Sequence, residues 1–188
     1  PIEAVRNNVF GTRNLVDAAR TAGVSKLVLI STDKAVEPVS VYGSSKMIAE
    51  EIVLSGNSPE TQMMVVRFGN VLGSRGSIVP LFQKQISKGG PVTITHDDIK
   101  RYFMTIPEAA SLVLKAGGVG AGGDLYLLDM GEPILIRDLA EQMIRFYGFR
   151  PGKDIPITIT GLRPGEKLEE KLWSTDETPL ETGYPGII

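Results

Sequence analysis

The sequence predicts an α/β fold: the second half of a doubly wound parallel sheet, followed by a smaller α/β domain. Three observations predict it. The runs Leu27-Val28-Leu29-Ile30 and Met63-Met64-Val65-Val66 are short and continuously apolar, as in strands covered on both faces. A helical pattern lies between them, with Met47, Ile48, Ile52 and Val53 recurring on one side, and strand–helix–strand with apolar strands implies parallel pairing under helices. After Asn70 the elements shorten and glycine connections multiply. That shift divides the chain into a sheet domain over 1–72 and a second domain over 73–188, some of whose segments return to the sheet.

The elements follow in order. Pro1 to Ala22 reads as one helix, with Pro1 and Glu3 in its first turn and Gly23 as its stop. Lys26–Ile30 is a strand, Tyr42–Leu54 a helix and Met63–Phe68 a second strand. Ile78–Ser87 is a helix closed by Gly89-Gly90, and Val92–Thr95 a short strand. Thr105-Ile106-Pro107-Glu108 is a capping box opening a helix over Pro107–Ala116. A strand at Leu125–Asp129, a helix at Ile136–Tyr147, a strand at Ile157–Thr160 and a helix at Glu166–Trp173 complete the chain.

Composition excludes several classes. The formal net charge of −2 has no Lys/Arg block behind it, which argues against nucleic acid as a partner. No apolar run approaches the ~20 residues of a membrane helix. There is no cysteine, hence no disulfide, thiolate metal site or cysteine nucleophile, in keeping with a reducing cytoplasm. The single histidine, His96, reads as a surface residue ending a strand, and no metal site is expected.

The chemistry concentrates between Ser31 and Lys46, just past the first apolar strand. In open α/β sheets, ligands collect beyond the carboxyl ends of the strands. Tyr42 and Lys46 are four apart, on one helical face, and a neighbouring ammonium favours the phenolate of such a tyrosine. The Thr32 hydroxyl is placed to hydrogen-bond the substrate oxygen that Tyr42 deprotonates. Asp33 and Lys34 supply an acid and a base side by side. Extended backbone would point them to opposite faces, so they serve one substrate only if the chain turns there, and Pro38 makes a turn plausible.

Gly118-Val119-Gly120-Ala121-Gly122-Gly123 matches G-x-G-x-x-G literally. A dinucleotide fingerprint follows a strand and opens a helix; here a helix precedes and a strand follows, so the stretch is read as a turn. No other stretch supplies the fingerprint. The chain is therefore expected to be the carboxyl-terminal part of a Rossmann-like protein whose glycine-rich loop lies before Pro1.

Three blocks carry a resemblance: Ser31-Thr32-Asp33-Lys34-Ala35-Val36, Tyr42-Gly43-Ser44-Ser45-Lys46, and Val66 to Ser77, which reads VRFGNVLGSRGS. They look like the extended short-chain dehydrogenase/reductases, and within these the UDP-N-acetylglucosamine 4,6-dehydratases of bacterial polysaccharide biosynthesis (capsule and O-antigen). Gly90–His96, Arg101–Ala109 and Gly161–Lys167 continue the likeness, which runs from Asn7 to about Trp173.

The resemblance implies a lyase that uses NAD or NADP. Hydride leaves the sugar C4 as Tyr42 takes the hydroxyl proton, Lys34 removes the C5 hydrogen while Asp33 protonates the departing C6 hydroxyl, and hydride returns to C6. Thr32, Asp33, Lys34, Tyr42 and Lys46 would be catalytic. Asn8, Ser31, Tyr42, Lys46, Phe68 and Asn70 would face the cofactor, with Asn8 ordering a proton relay and Lys46 holding the nicotinamide ribose. Asn70, Arg75, Ser77, Arg101, Arg163 and Glu166 would bind the UDP-sugar, the arginines as phosphate clamps and Glu166 at ribose hydroxyls. A homo-oligomer is expected, located in the cytoplasm, with membrane attachment at the inner face only through a region before Pro1. Two alternatives share the scaffold: a nucleotide-sugar 4-epimerase, which has no use for Asp33 and Lys34 as acid and base, and a non-catalytic dinucleotide-binding regulator.

Overall fold

The computed structural model describes residues 1–74 and 76–188. The chain forms two compact units: Pro1–Gly69 with Pro107–Met130 and Lys171–Ile188, and Asn70–Ile106 with Gly131–Glu170.

The first unit begins with α1 (Ile2–Val5), a single π turn (Arg6–Phe10) and α2 (Gly11–Thr21). The expected single helix is thus interrupted by one turn of wider hydrogen bonding. The strands β1 (Lys26–Thr32), β2 (Gln62–Phe68) and β7 (Leu125–Leu127) form a parallel sheet in the order β1-β2-β7. β1 and β2 align from Lys26 opposite Gln62 to Thr32 opposite Phe68, so their carboxyl ends coincide. The connection between them is α3 (Val41–Ser55). Val16, Ala19, Val53, Met63 and Val65 form the core between helices and sheet, the burial that drives assembly at about 25 cal/mol per Å². The helix α5 (Ile106–Val119) runs into the glycine stretch, which then turns into β7. The helix-then-strand order read from the sequence holds there. Lys26 Nζ donates to the carbonyls of Gly117, Gly118 and Gly120 at 2.9–3.0 Å, a cation closing the helix's carboxyl end.

In the second unit α4 (Ile78–Ser87) and α6 (Ile136–Phe146) pack around Phe82, Ile86, Ile94, Ile99, Ile144 and Ile155. Short strand pairs surround them: β3 (Asn70–Leu72) with β6 (Phe103–Thr105) and β4 (Val92–Ile94) with β9 (Ile157–Ile159), both parallel, and β5 (Lys100–Arg101) antiparallel to β8 (Ile134–Leu135).

The expected helix over Glu166–Trp173 does not form; the segment is turns and irregular chain. Its backbone carbonyls bond elsewhere. Leu168 C=O accepts from the Lys100 N–H at 3.0 Å and, with Lys167 C=O, from the Arg101 guanidinium at 3.0 and 2.8 Å. A periodic apolar pattern yields when tertiary partners claim the backbone.

Candidate active site

The carboxyl end of β1 breaks into a 3₁₀ turn at Asp33–Ala35. Thr32 caps it: the Lys34 N–H donates to the Thr32 hydroxyl at 3.4 Å, and that hydroxyl donates to Asp33 Oδ1 at 2.9 Å. The turn undoes the opposition that extended backbone would impose. Lys34 Nζ reaches the same Asp33 oxygen at 2.8 Å, although the residues are sequence neighbours. Asp33 is fully buried, and its Oδ2 has no hydrogen-bond partner among the described residues.

Helix α3 presents Tyr42 and Lys46 beside this turn. Ser40 caps the helix, its hydroxyl accepting from the Gly43 N–H at 3.1 Å, a bond worth ~1 kcal/mol. Gly43 is required for contact. A Cβ there would collide with the Lys34 carbonyl and stand 3.0 Å from the Pro38 side chain, so only glycine lets the turn lie against the helix. Tyr42 is 47% exposed. Lys46 is half-buried and donates to the Ile30 carbonyl at 2.8 Å. Burial lowers its pKa from the usual lysine range, partly opposed by the Glu50 carboxylate one turn on. An ammonium carries three N–H donors. One is engaged with Ile30, leaving two that suit cofactor hydroxyls at a strand's carboxyl end.

The π turn packs against α3. Asn8 Nδ2 donates to the Ser45 hydroxyl at 2.9 Å, and Ser45 donates to the Tyr42 carbonyl at 2.8 Å. Single π turns concentrate at functional sites, and this one sits under the tyrosine's backbone. Phe68 ends β2 opposite Thr32 and is buried.

Ser31 is buried and donates its hydroxyl to Glu50. Glu50 in turn takes a bidentate pair of bonds from Arg67, at 3.1 Å to Nε and 2.7 Å to Nη2. The sequence reading passed over these two residues. A signal was present: an arginine ending an otherwise apolar strand must find an anion, and Glu50 continues the 42–46 helical face.

In the second unit Arg101 is buried and turned inward. Its Nη1 donates to Lys100 C=O and Leu168 C=O at 2.7 and 3.0 Å, its Nη2 to Lys167 C=O at 2.8 Å, and Glu166 lies at 3.6 Å. Glu166 is also engaged, accepting from the Thr95 hydroxyl at 2.9 Å and the Arg163 N–H at 3.1 Å. Together they brace one loop, on which Arg163 is exposed. Asn70 opens β3 and donates its N–H to Tyr102 C=O at 3.1 Å. Ser77 precedes α4, its hydroxyl oxygen buried without a hydrogen-bond partner among the described residues. Arg75 lies outside the described residues. His96 accepts the Asp98 N–H at 3.1 Å on the surface. Among the described residues no cluster of His, Asp and Glu could hold a metal, and no helix is long and apolar enough to cross a membrane.

A family model described as polysaccharide biosynthesis protein matches residues 1–188. The chain belongs to that family. Among its relatives, the capsular polysaccharide biosynthesis protein CapD of Staphylococcus aureus is 54% identical over 189 residues, covering 100% of this chain and 31% of that protein. A UDP-glucose 4-epimerase of Rickettsia rickettsii is 36% identical, with 94% and 52% covered. An inverting UDP-N-acetylglucosamine 4,6-dehydratase of Campylobacter jejuni is 33% identical, with 96% and 53% covered. The chain of this family member thus spans about a third to a half of the length of these relatives. Of solved structures, Pen from Bacillus thuringiensis superposes with a TM-score of 0.86 at 39% identity, covering 94% of this chain and 56% of that one. DesIV of Streptomyces venezuelae, a dTDP-glucose 4,6-dehydratase solved with NAD and TYD, gives a TM-score of 0.79 at 21% identity, with 89% and 57% covered. That likeness establishes the shared α/β fold.

Proposed function

We propose that this chain carries the acid–base half of a nicotinamide-dependent 4,6-dehydratase acting on a UDP-N-acetylhexosamine, within a longer protein that makes bacterial surface polysaccharide. The observation that carries the reading is the Asp33–Lys34 pair at 2.8 Å on the turn beside Tyr42. An epimerase has no need of it.

A bound nicotinamide dinucleotide supplies the hydride acceptor for C4 oxidation and the hydride donor for C6 reduction. Tyr42 takes the C4 hydroxyl proton, and Lys46 holds cofactor hydroxyls with its two remaining donors. Transfer of one proton across the Lys34–Asp33 contact turns the ion pair into a neutral amine and a carboxylic acid. The amine then removes the C5 proton, made acidic by the C4 ketone, while the acid protonates the C6 hydroxyl, which leaves as water. Elimination thus returns both groups to their ion-pair form, and once C6 is reduced a solvent-derived proton is added at C5 while Tyr42 releases the C4 hydroxyl proton to solvent. Effective general acid–base groups must lie within hydrogen-bond reach of the proton they move, and one short turn brings two of them within 2.8 Å of each other. Asp33, fully buried without substrate, must become exposed to the C6 hydroxyl when the sugar binds. Arg163 is the phosphate contact in this reading; Arg101 and Glu166 hold its loop, with Asn70, Ser77 and Arg75 as further substrate contacts.

The test is mass spectrometry of the full-length protein with UDP-N-acetylglucosamine and NAD or NADP in deuterated water. A product lighter by one water with deuterium at C5 supports the reading. An isomer of unchanged mass overturns it in favour of the epimerase, which the relatedness to UDP-glucose 4-epimerases makes the second reading. Binding of cofactor without turnover points to a regulator.

A further inference from the structure

The Arg67 guanidinium uses all five of its N–H donors. Nε and Nη2 bond Glu50 at 3.1 and 2.7 Å, Nη1 bonds the Leu172 carbonyl at 3.0 Å, and Nη1 and Nη2 bond the two Glu177 oxygens at 2.8 and 3.0 Å. Arg67 and Glu50 are each 3% exposed. Around them β2 is apolar, with Met63, Met64, Val65 and Val66 wholly buried. A buried ion pair is a poor source of stability compared with packed hydrocarbon, and its best-attested use is to fix register.

The register at stake is that of the candidate active site. Glu50 accepts the Ser31 hydroxyl and Lys46 donates to the carbonyl of Ile30. Two side chains one helical turn apart on α3 therefore grip consecutive residues of β1, just before Thr32, Asp33 and Lys34. Residues 171–177 close the arrangement from the other side: Lys171 Nζ bonds both oxygens of Glu37 at 2.9 and 3.0 Å, two residues beyond the turn. Glu37 itself holds a positive φ of 41°, a conformation that non-glycine residues keep only when neighbours enforce it. The Ser174 N–H adds a 2.7 Å bond to Glu177.

We propose that Arg67 and Glu50 are positioning residues that hold the Tyr42–Lys46 helix in register with the acid–base turn, and that docking of residues 171–177 on the same guanidinium completes the lock. Its catalytic consequence rests on the function proposed above, whereas the mechanical coupling rests on the geometry alone. The segment 171–177 follows directly on the loop bearing Arg163, so a change that undocks it would loosen the acid–base turn without altering any residue that reacts.

The experiment uses the full-length protein with Glu177→Gln, which keeps the half-exposed side chain's shape, and Arg67→Lys, which keeps the charge but loses the fork. Hydrogen–deuterium exchange is followed over 31–46 and 171–188. A hydrogen bond to a charged partner lost in this way should speed opening about tenfold or more. The proposal expects faster exchange in both segments of Glu177→Gln, and, in a turnover assay, a lower kcat at unchanged KM for the UDP-sugar. Faster exchange confined to 171–188, with 31–46 as in the wild type, overturns it. If Arg67→Lys does not fold, Glu177→Gln alone decides. Coupled exchange in a protein that fails to dehydrate UDP-sugars leaves the lock standing and removes only the function.

Discussion

A side chain at Gly43 would occupy the space of the Lys34 carbonyl oxygen. The backbone of the acid–base turn and the first turn of the tyrosine helix are thus in direct contact, and the missing Cβ is what permits it. Gly43 has ordinary helical surroundings rather than a left-handed backbone, so close approach, not conformational freedom, is the reason for glycine here.

Gly43→Ala should therefore shift the turn away from α3. Overpacking of this kind costs about 1–3 kcal/mol, measurable by urea denaturation. Turnover should fall by more than that stability loss explains, because Lys34 moves with its carbonyl.

Lys34→Ala removes the ammonium from a carboxylate that is otherwise fully buried. On the proposed mechanism it blocks elimination yet spares C4 oxidation, so a reduced-nicotinamide absorbance should appear on mixing with UDP-sugar and persist. Absence of that absorbance with intact cofactor binding would count against the assigned role.

Arg163→Ala and Arg101→Ala should behave differently. Arg163 is exposed, and its loss should leave the melting temperature nearly unchanged, within about 0.5 kcal/mol of stability, while raising KM for the UDP-sugar. Arg101 holds three backbone carbonyls, so its loss should destabilise the 161–170 loop and increase proteolysis there.

Burial tends to raise the Glu177 pKa, but bonds from Arg67 and the Ser174 backbone outweigh it, leaving the carboxyl below its ordinary 4.5. The folded pKa is depressed, so the stability this group contributes is present above pH 4.5 and is lost as pH falls through the folded value. Glu177→Gln should flatten the acid side of the stability-against-pH curve, read by thermal melts between neutral pH and the acid limit.

For Lys46 the sign is opposite. Burial lowers its pKa below 10.5, with Glu50 opposing; carrying the proton costs stability below the folded value, and the cost fades as pH rises from there towards 10.5. Reductive ¹³C-methylation and NMR should find one lysine titrating below the others, and lower still in Glu50→Gln.

The strand around Val65 and the helices around Phe82 and Ile144 were legible because apolar pattern and burial coincide there, whereas Leu27–Ile30 reads as a strand covered on both faces but lies at the end of the β1-β2-β7 order with Ile30 52% exposed. The pairs β5–β8 and β3–β6 were not. Two or three residues carry no period, and their pairing is set by partners distant in sequence. Glu166–Trp173 misled for the same reason, since Lys100 and Arg101 claim its carbonyls. At the site, the Thr32–Lys46 constellation was readable from residue type and spacing. Whether Asp33 and Lys34 meet depended on a turn that only coordinates reveal, and the Arg67 network depends on Glu177, 110 positions away.

The π turn at Arg6–Phe10 makes Asn8's reach to Ser45 a matter of counting rather than of side-chain chemistry. A turn of this type holds one residue more than an α-helical turn. Deleting Val9 would let the helix close regularly and rotate everything before it by about 100° relative to α2, carrying Asn8 off Ser45 while α2 kept its own contacts. In the first twenty residues, then, the site depends on length as well as on side-chain identity, and a comparison that scores substitutions alone would pass over it.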